Sequence, residues 1–285
     1  MLQAPLYWVN GEARDTLPLP DRGLLFGDGL FETLRWQSGR VQLQARHLQR
    51  LSRGCSSLGI PPPPIVQLEC VLAAAGAALD ASGACAAALR LTVTRAWTAR
   101  GYGPGAPAPA QVLLAAEPVI PLQAPGMAPV HLGIAAITWS LQPRLAGLKH
   151  LNRLEQVLAA GEIPPDCDDV LMCDPAGLVI STSCANLFWR SGDMLYTPPL
   201  TECGIAGTVR ALILEELAAV AGLNVYECAV ALPQLLEADE VFTCNSLQGL
   251  RPVAQISQRR WDTTWACEQL RQAWFAHPEV MCAGD

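Results

Sequence analysis

Charge is scarce in this chain of 285 residues: 16% of it is Asp, Glu, Lys or Arg, against 51% hydrophobic residues. So little charge excludes a disordered chain and describes a well-buried globule, long enough for one large or two medium domains. Basic residues are the scarcer sign, 19 against 26 acidic, for a net charge of −7. A chain this acidic has no stripe with which to neutralise a phosphate backbone, so a nucleic-acid binder is not expected, and Arg259-Arg260 reads as a solvated turn. The four histidines (47, 131, 150 and 277) never fall at ligand spacing with another His or Cys, so no metal site is expected. No Cys-x-x-Cys occurs. The 11 cysteines are odd in number and scattered, Cys55, Cys70, Cys85, Cys173 and Cys228 among them, which suits reduced small hydrophobes in a cytoplasmic protein. Residues 1–10 lack a basic export region, and the apolar runs read as too short to span a bilayer. The longest, Val71 to Leu79, is closed by Asp80 and reads as a buried helix.

What is present is a succession of short strands and helices. Leu6 to Val9 reads as a strand followed by the hairpin signal Asn10-Gly11. Three glycines within Gly23-Leu-Leu-Phe-Gly-Asp-Gly29 allow close backbone approach, read as a tight turn packing beneath a site, with a strand from Leu30 to Trp36. Helices are expected at 45–58 and 65–80, strands at 87–95 and 111–116. Residues 118–129 carry four prolines and a glycine, so the domain boundary is placed there: an N-terminal domain over 1–118, a linker over 119–129 and a second domain over 130–285. In the second half strands are expected at 130–138, 169–173, 178–180, 186–189, 194–197, 223–228 and 240–244. Helices are expected at 207–221, 233–238 and 262–276.

Chemistry concentrates around Leu145-Ala-Gly-Leu-Lys-His-Leu-Asn-Arg-Leu-Glu-Gln-Val157. Leu151, Leu154 and Leu158 recur at i, i+3 and i+7, which predicts a helix over about 150–161 with Lys149 just ahead of it. A lysine entering the positive end of a helix beside leucines favours its neutral amine, a nucleophile for carbonyl carbon. Gly207-Thr208-Val209 at a helix start offers backbone N–H groups for a phosphate, Ser246 can donate to the same group, and Arg50 can neutralise its charge. His47 and Arg50 share a helix face. An amine for an aldehyde and a cradle for a phosphate together describe pyridoxal 5'-phosphate.

These motifs resemble the fold-type IV (class IV aminotransferase) pyridoxal-phosphate enzymes, among them branched-chain and D-amino-acid aminotransferases and 4-amino-4-deoxychorismate lyase. The likeness runs from about residue 6 to 256, through Phe26-Gly-Asp-Gly-Leu-Phe-Glu32, His47-Leu-Gln-Arg-Leu51, Arg100-Gly-Tyr102, the Lys149 stretch, Ala185-Asn-Leu-Phe188, Gly204-Ile-Ala-Gly-Thr-Val-Arg210 and Cys244-Asn-Ser246. The wording around Lys149 and the Cys-Asn-Ser loop look most like the lyase. The resemblance implies an α/β (α+β) fold of two domains, a smaller N-terminal one and a larger C-terminal pseudo-barrel, in a homodimer with the cofactor in the cleft between domains. It implies that Lys149 is the catalytic lysine, joined to the cofactor aldehyde. It also places Arg50, Asn186, Gly207, Thr208, Val209, Asn245 and Ser246 around the cofactor, and Phe31, Arg100 and Tyr102 around a substrate carboxylate. One position departs. The family pattern puts a glutamate five residues before the Asn of Asn-Leu-Phe, on the cofactor's ring nitrogen, and here that residue is Ser181 (Thr182 or Ser183 if the segment shifts). A hydroxyl cannot stabilise a pyridinium as a carboxylate does, which weakens the electron sink and disfavours transamination more than elimination. The expected function is therefore an elimination giving 4-aminobenzoate and pyruvate. The alternatives are a D- or branched-chain amino-acid aminotransferase, or a homologue of low or no activity.

Overall fold

The computed structural model describes residues 6–122 and 128–280. Within them the contacts divide the chain into two units. One runs to Leu122 and takes in Lys149–Asn152 and the chain from Glu279; the other holds the stretch up to Leu148 and Arg153–Pro278. Residues 123–127 of the expected linker lie outside the described residues.

The first unit begins with β1 (Leu6–Val9) and β2 (Glu12–Ala13), joined where Asn10 and Gly11 take φ of 53° and 87°. Positive φ at both turn positions is what an Asn-Gly hairpin supplies. A helix the sequence did not announce follows, α1 (Arg22–Phe26), then β3 (Gly29–Gln37), β4 (Arg40–Val41), α2 (Gln44–Leu58), α3 (Ile65–Ser82), β5 (Ala86–Thr94) and β6 (Gln111–Pro118). The six strands form one antiparallel sheet in the order β2-β1-β6-β5-β3-β4. Leu48, Leu51 and Cys55 of α2, Leu68, Leu72 and Leu79 of α3, and Leu34, Trp36, Leu89 and Leu91 of the sheet make up its buried core. Each such side chain contributes roughly 1.5–3 kcal/mol on burial. One expectation fails here. By length and composition α3 is apolar enough to cross a membrane, because Ile65, Val66, Leu68 and Cys70 extend the apolar run ahead of Val71. Its Leu68, Val71, Leu72, Ala75, Gly76 and Leu79 are buried.

The second unit holds β7 (Val130–Ile134), α4 (Leu154–Gly161), β8 (Asp169–Cys173), β9 (Val179–Thr182), β10 (Asn186–Ser191) and β11 (Met194–Thr197). α5 (Thr208–Leu212) runs on through a π-helical turn at Ile213–Leu217 into α6 (Ala218–Val220). After these come β12 (Asn224–Glu227), α7 (Leu232–Leu235), β13 (Glu240–Asn245), β14 (Gly249–Ile256), β15 (Arg259–Arg260) and α8 (Trp265–Phe275). Their sheet has the order β12-β11-β10-β13-β14-β7-β8-β9, with β15 on β14. Its core includes Leu171, Leu187, Trp189, Val241 and Ile256, and Phe188 stacks on Phe242 at 5.2 Å between ring centres. Mixed α/β content in two sheets agrees with the expected α/β (α+β) class.

Two sequence expectations are corrected. The strand from 130 ends at Ile134, not 138. The helix expected from about 150 begins at Leu154, and Leu154 and Leu158 are exposed. The leucine register failed because Leu151 serves the other unit: its N–H donates to the Gly29 carbonyl at 3.0 Å, beside a bridge between Leu30 and His150. Extended pairing with β3 wins over the first helical turn.

Candidate active site

Lys149 lies in the first unit against β3, and its own carbonyl accepts from the Phe31 N–H at 2.9 Å. The glycines of the preceding loop make that approach feasible. A Cβ on Gly29 would come within 2.5 Å of the Val93 carbonyl oxygen and 2.9 Å of Leu151. A Cβ on Gly27, which sits at φ +64°, would meet the Asn152 amide oxygen at 2.4 Å. The turn therefore packs the lysine segment, as its spacing suggested. The positive helix end invoked for Lys149 is not adjacent in sequence, since α4 starts five residues later. What the ammonium meets instead is an aromatic face: Nζ lies 4.3 Å from the Phe31 ring centre.

Phe31 is buried, and the Arg90 guanidinium lies over the same ring at 3.9 Å. Lys149 Nζ and Arg90 Cζ are thus no farther apart than those two distances together. Burial lowers the Arg90 pKa, partly offset by Glu117. Sequence reasoning missed Arg90. Its signal was a lone cation on an otherwise uncharged strand, three residues before Val93, whose carbonyl packs the glycine turn.

Arg50 does not stand alone either. Glu32, buried in β3, accepts from Arg50 Nε at 2.8 Å and from Nη2 through its second oxygen, and pairs with His47 Nδ1 at 2.6 Å. Burial pushes the Glu32 carboxyl up, but the Arg50 charge and the bonds from Arg50 and His47 outweigh it and hold the pKa at about 2. Burial lowers the His47 pKa; Glu32 opposes this, and the charges of Arg50 and Lys149 add to it. The shared face of His47 and Arg50 thus serves one carboxylate, Glu32, which the sequence reading had left without a role. Arg100 and Tyr102 both stand exposed in this unit.

In the second unit the hydroxyls of Thr208 and Ser246 come together at 3.1 Å, Thr208 buried in the first turn of α5. Gly207 is the N-cap, and its N–H, expected to serve a ligand, donates to Asn186 Oδ1 at 3.1 Å. Asn186 Nδ2 donates to the Ile205 carbonyl at 2.9 Å, so this side chain braces the loop leading into the helix. The fit is close enough that a Cβ on Gly207 would lie 2.1 Å from Asn186 Oδ1. Val209 follows in the same turn, where the first N–H groups have no intrahelical acceptor. Asn245 folds its own loop, its Oδ1 accepting from the N–H groups of Leu247 (3.0 Å) and Gln248 (2.8 Å). Ser181 is buried on β9; its Oγ accepts from Trp139 Nε1 at 3.1 Å and donates to the Thr182 carbonyl at 2.8 Å. The neighbouring hydroxyls are engaged as well, Ser183 with Asp169 Oδ1 at 2.5 Å and Thr182 within its own turn to Ala185.

The donor set suits pyridoxal phosphate. Paired hydroxyls at a helix start match a phosphate, the bare Gly207 allows the close turn, and Lys149 supplies the amine an aldehyde needs. A separate cleft of about 890 Å³ in the first unit, lined by Pro18, Pro20, Pro61 to Pro64 and Trp97, includes none of these residues.

Comparison with known proteins bears on the family of the chain. The model of the family "Amino-transferase class IV" matches residues 29–256. An aminodeoxychorismate lyase of Vibrio harveyi is 35% identical over 256 residues, 88% of this chain and 92% of that protein. A putative branched-chain-amino-acid aminotransferase of Methanocaldococcus jannaschii is 30% identical over 84% of this chain and 82% of its own. Among solved structures, 4-amino-4-deoxychorismate lyase from Pseudomonas aeruginosa superposes with a TM-score of 0.86 at 36% identity, covering 96% of this chain and all of that one.

Proposed function

The chain belongs to the amino-transferase class IV family, and from that premise we propose that it is an aminodeoxychorismate lyase. It would convert 4-amino-4-deoxychorismate to 4-aminobenzoate and pyruvate with pyridoxal phosphate as cofactor. The observation that carries the reading is Lys149, fixed by main-chain bonds to β3 with its amine on the Phe31 ring, in a chain alike over most of its length to two lyases.

Bound pyridoxal phosphate would supply an aldehyde for the substrate amine and a sink for the electrons left at the amine-bearing carbon. Thr208, Ser246 and the N–H of Val209 would hold its phosphate, with Arg50, oriented by Glu32, adding positive charge. The Lys149 amine takes the proton from the amine-bearing ring carbon. The ring C–O bond then breaks, the ring becomes aromatic, and enolpyruvate leaves and gains a proton to become pyruvate. Arg90, beside Phe31, and Arg100 with Tyr102 offer cations and a phenol to the substrate carboxylates.

Ser181 favours elimination over transamination. Its single proton is given to the Thr182 carbonyl, so toward a ring nitrogen it offers an acceptor and no charge. The departing enolpyruvate carries electrons away and the gain of aromaticity drives the step, so a weak sink suffices. We further read the enzyme as a cytoplasmic homodimer: every cysteine among the described residues is free, and Leu154, Val157 and Leu158 present an exposed apolar face on α4.

The test incubates purified, cofactor-loaded protein with 4-amino-4-deoxychorismate. Pyruvate and 4-aminobenzoate should form in equal amounts, and Lys149→Ala should abolish both. Amino transfer to 2-oxoglutarate from D- or branched-chain amino acids, without pyruvate release, would replace the lyase by an aminotransferase.

A further inference from the structure

Arg22 is an arginine buried to 2% exposure in the first turn of α1. Its Nε donates to Asp28 Oδ2 at 2.8 Å. Its two other nitrogens donate to main-chain carbonyls far along the chain, Nη1 to Gly101 at 2.9 Å and Nη2 to Tyr102 at 3.0 Å. Those carbonyls belong to the loop that carries Arg100 and Tyr102, which has neither helix nor strand of its own.

The support behind Arg22 is rigid. Asp28 Oδ2 also accepts from Arg95 Nε at 2.8 Å, and Arg95 donates onward to the Gly59 and Leu58 carbonyls at the end of α2, both at 2.7 Å. Burial raises the Asp28 pKa, but Arg95 and Arg22 together bring it below its ordinary value, so the carboxylate stays charged. α1 is fastened to β5: Asp21 caps the Leu24 N–H at 2.8 Å and accepts from Thr94 Oγ1 at 2.7 Å. There is no room for a side chain at Gly23, where a Cβ would sit 2.3 Å from Thr94 Cγ2. Phe26 completes the contact, with the Arg22 guanidinium 4.9 Å from its ring centre and the Tyr102 ring 5.4 Å from it.

We propose that Arg22 is a positioning residue that fixes the loop bearing Arg100 and Tyr102 in the geometry that accepts a substrate carboxylate. This rests on the reading of Arg100 and Tyr102 as carboxylate-binding groups. A loop ordered in advance loses less conformational freedom on binding, so affinity improves while the chemical step is untouched. Lysine cannot take the place of arginine, because one ammonium cannot span Asp28 and two separate carbonyls in a planar fork.

The test uses full-length, cofactor-loaded Arg22→Lys and Arg22→Met. Tryptic cleavage after the exposed Arg100 should be at least about tenfold faster than in the wild type, with the thermal midpoint and visible spectrum retained. KM for the carboxylate substrate should rise about tenfold while kcat stays within about twofold. Unchanged cleavage in either folded variant overturns the proposal, as does faster cleavage with an unchanged KM. Should neither variant fold, the wild type alone decides: cleavage after Arg100 slower than after the exposed Arg14 supports a held loop, and equal rates overturn it. Absence of pyruvate from the wild type would count against the lyase reading. In that case the Kd of 4-aminobenzoate replaces KM, and the cleavage rates still judge Arg22.

Discussion

Glu32 grips Arg50 through both carboxylate oxygens, and the grip is buried at the carboxylate end. An arginine so held has its plane fixed before any anion arrives. Removing the charge in Glu32→Gln should weaken cofactor retention about tenfold, measured by dialysis and absorbance, because Arg50 then loses a bidentate partner. Arg50→Lys should cost as much, since a point charge cannot reproduce the paired geometry.

The same cluster predicts the acid limb of the stability curve. Glu32 has a folded pKa of about 2, below its ordinary 4.5, so its contribution is complete above 4.5 and is lost as pH falls toward 2. His47 is also lowered from 6.5, so the unfolded chain takes up its proton first and stability already declines as pH falls below 6.5. Urea midpoints between pH 7 and 3 should fall in two stages, and Glu32→Gln should flatten the lower one.

Gly29 should tolerate no side chain. Gly29→Ala places a methyl against the Val93 main-chain oxygen, which cannot step aside as a flexible side chain can. The expected cost is about 3 kcal/mol, at the upper end for overpacking, measured by denaturant melts. The cofactor chromophore should be lost as well, because the Lys149 segment is displaced.

Arg90→Gln should raise KM for a carboxylate substrate by about tenfold or more, with the spectrum of the bound cofactor kept. An unchanged KM would show that the guanidinium over Phe31 serves packing alone.

Ser181→Glu should shift the reaction toward amino transfer. A carboxylate there would stabilise a protonated ring nitrogen, so half-transamination with D-alanine, followed by absorbance, should accelerate relative to pyruvate release. Equal acceleration of both would mean that the residue does not set the partition.

Much of this was legible in the sequence, for physical reasons. Asn10-Gly11, the short apolar runs that became β5 and β6 and the long apolar α3 are local signals, and local structure obeyed them. Thr208 and Ser246 were expected to serve one group, and their hydroxyls do come together at 3.1 Å. The helix start at 150 was misplaced because Leu151 answers to Gly29, more than a hundred residues away, and periodicity knows nothing of such a partner. Asn186 and Gly207 were both picked for a ligand, yet their polar groups bind each other. Glu32, Arg22 and Arg90 went unassigned because a charged residue on a strand or short helix reads as solvated surface until its buried partners are known.

The insertion of 149–152 beside β3 bears on how the polypeptide is made. When the first 122 residues have been synthesised, the Gly29 carbonyl and the Phe31 N–H still await partners that arrive only with His150 and its neighbours. An excised N-terminal fragment should accordingly show slow assembly and a bare, sticky sheet margin. Supplying a short peptide spanning 145–153 should quiet it, and Lys149 would then act as the last stitch of a sheet it did not begin.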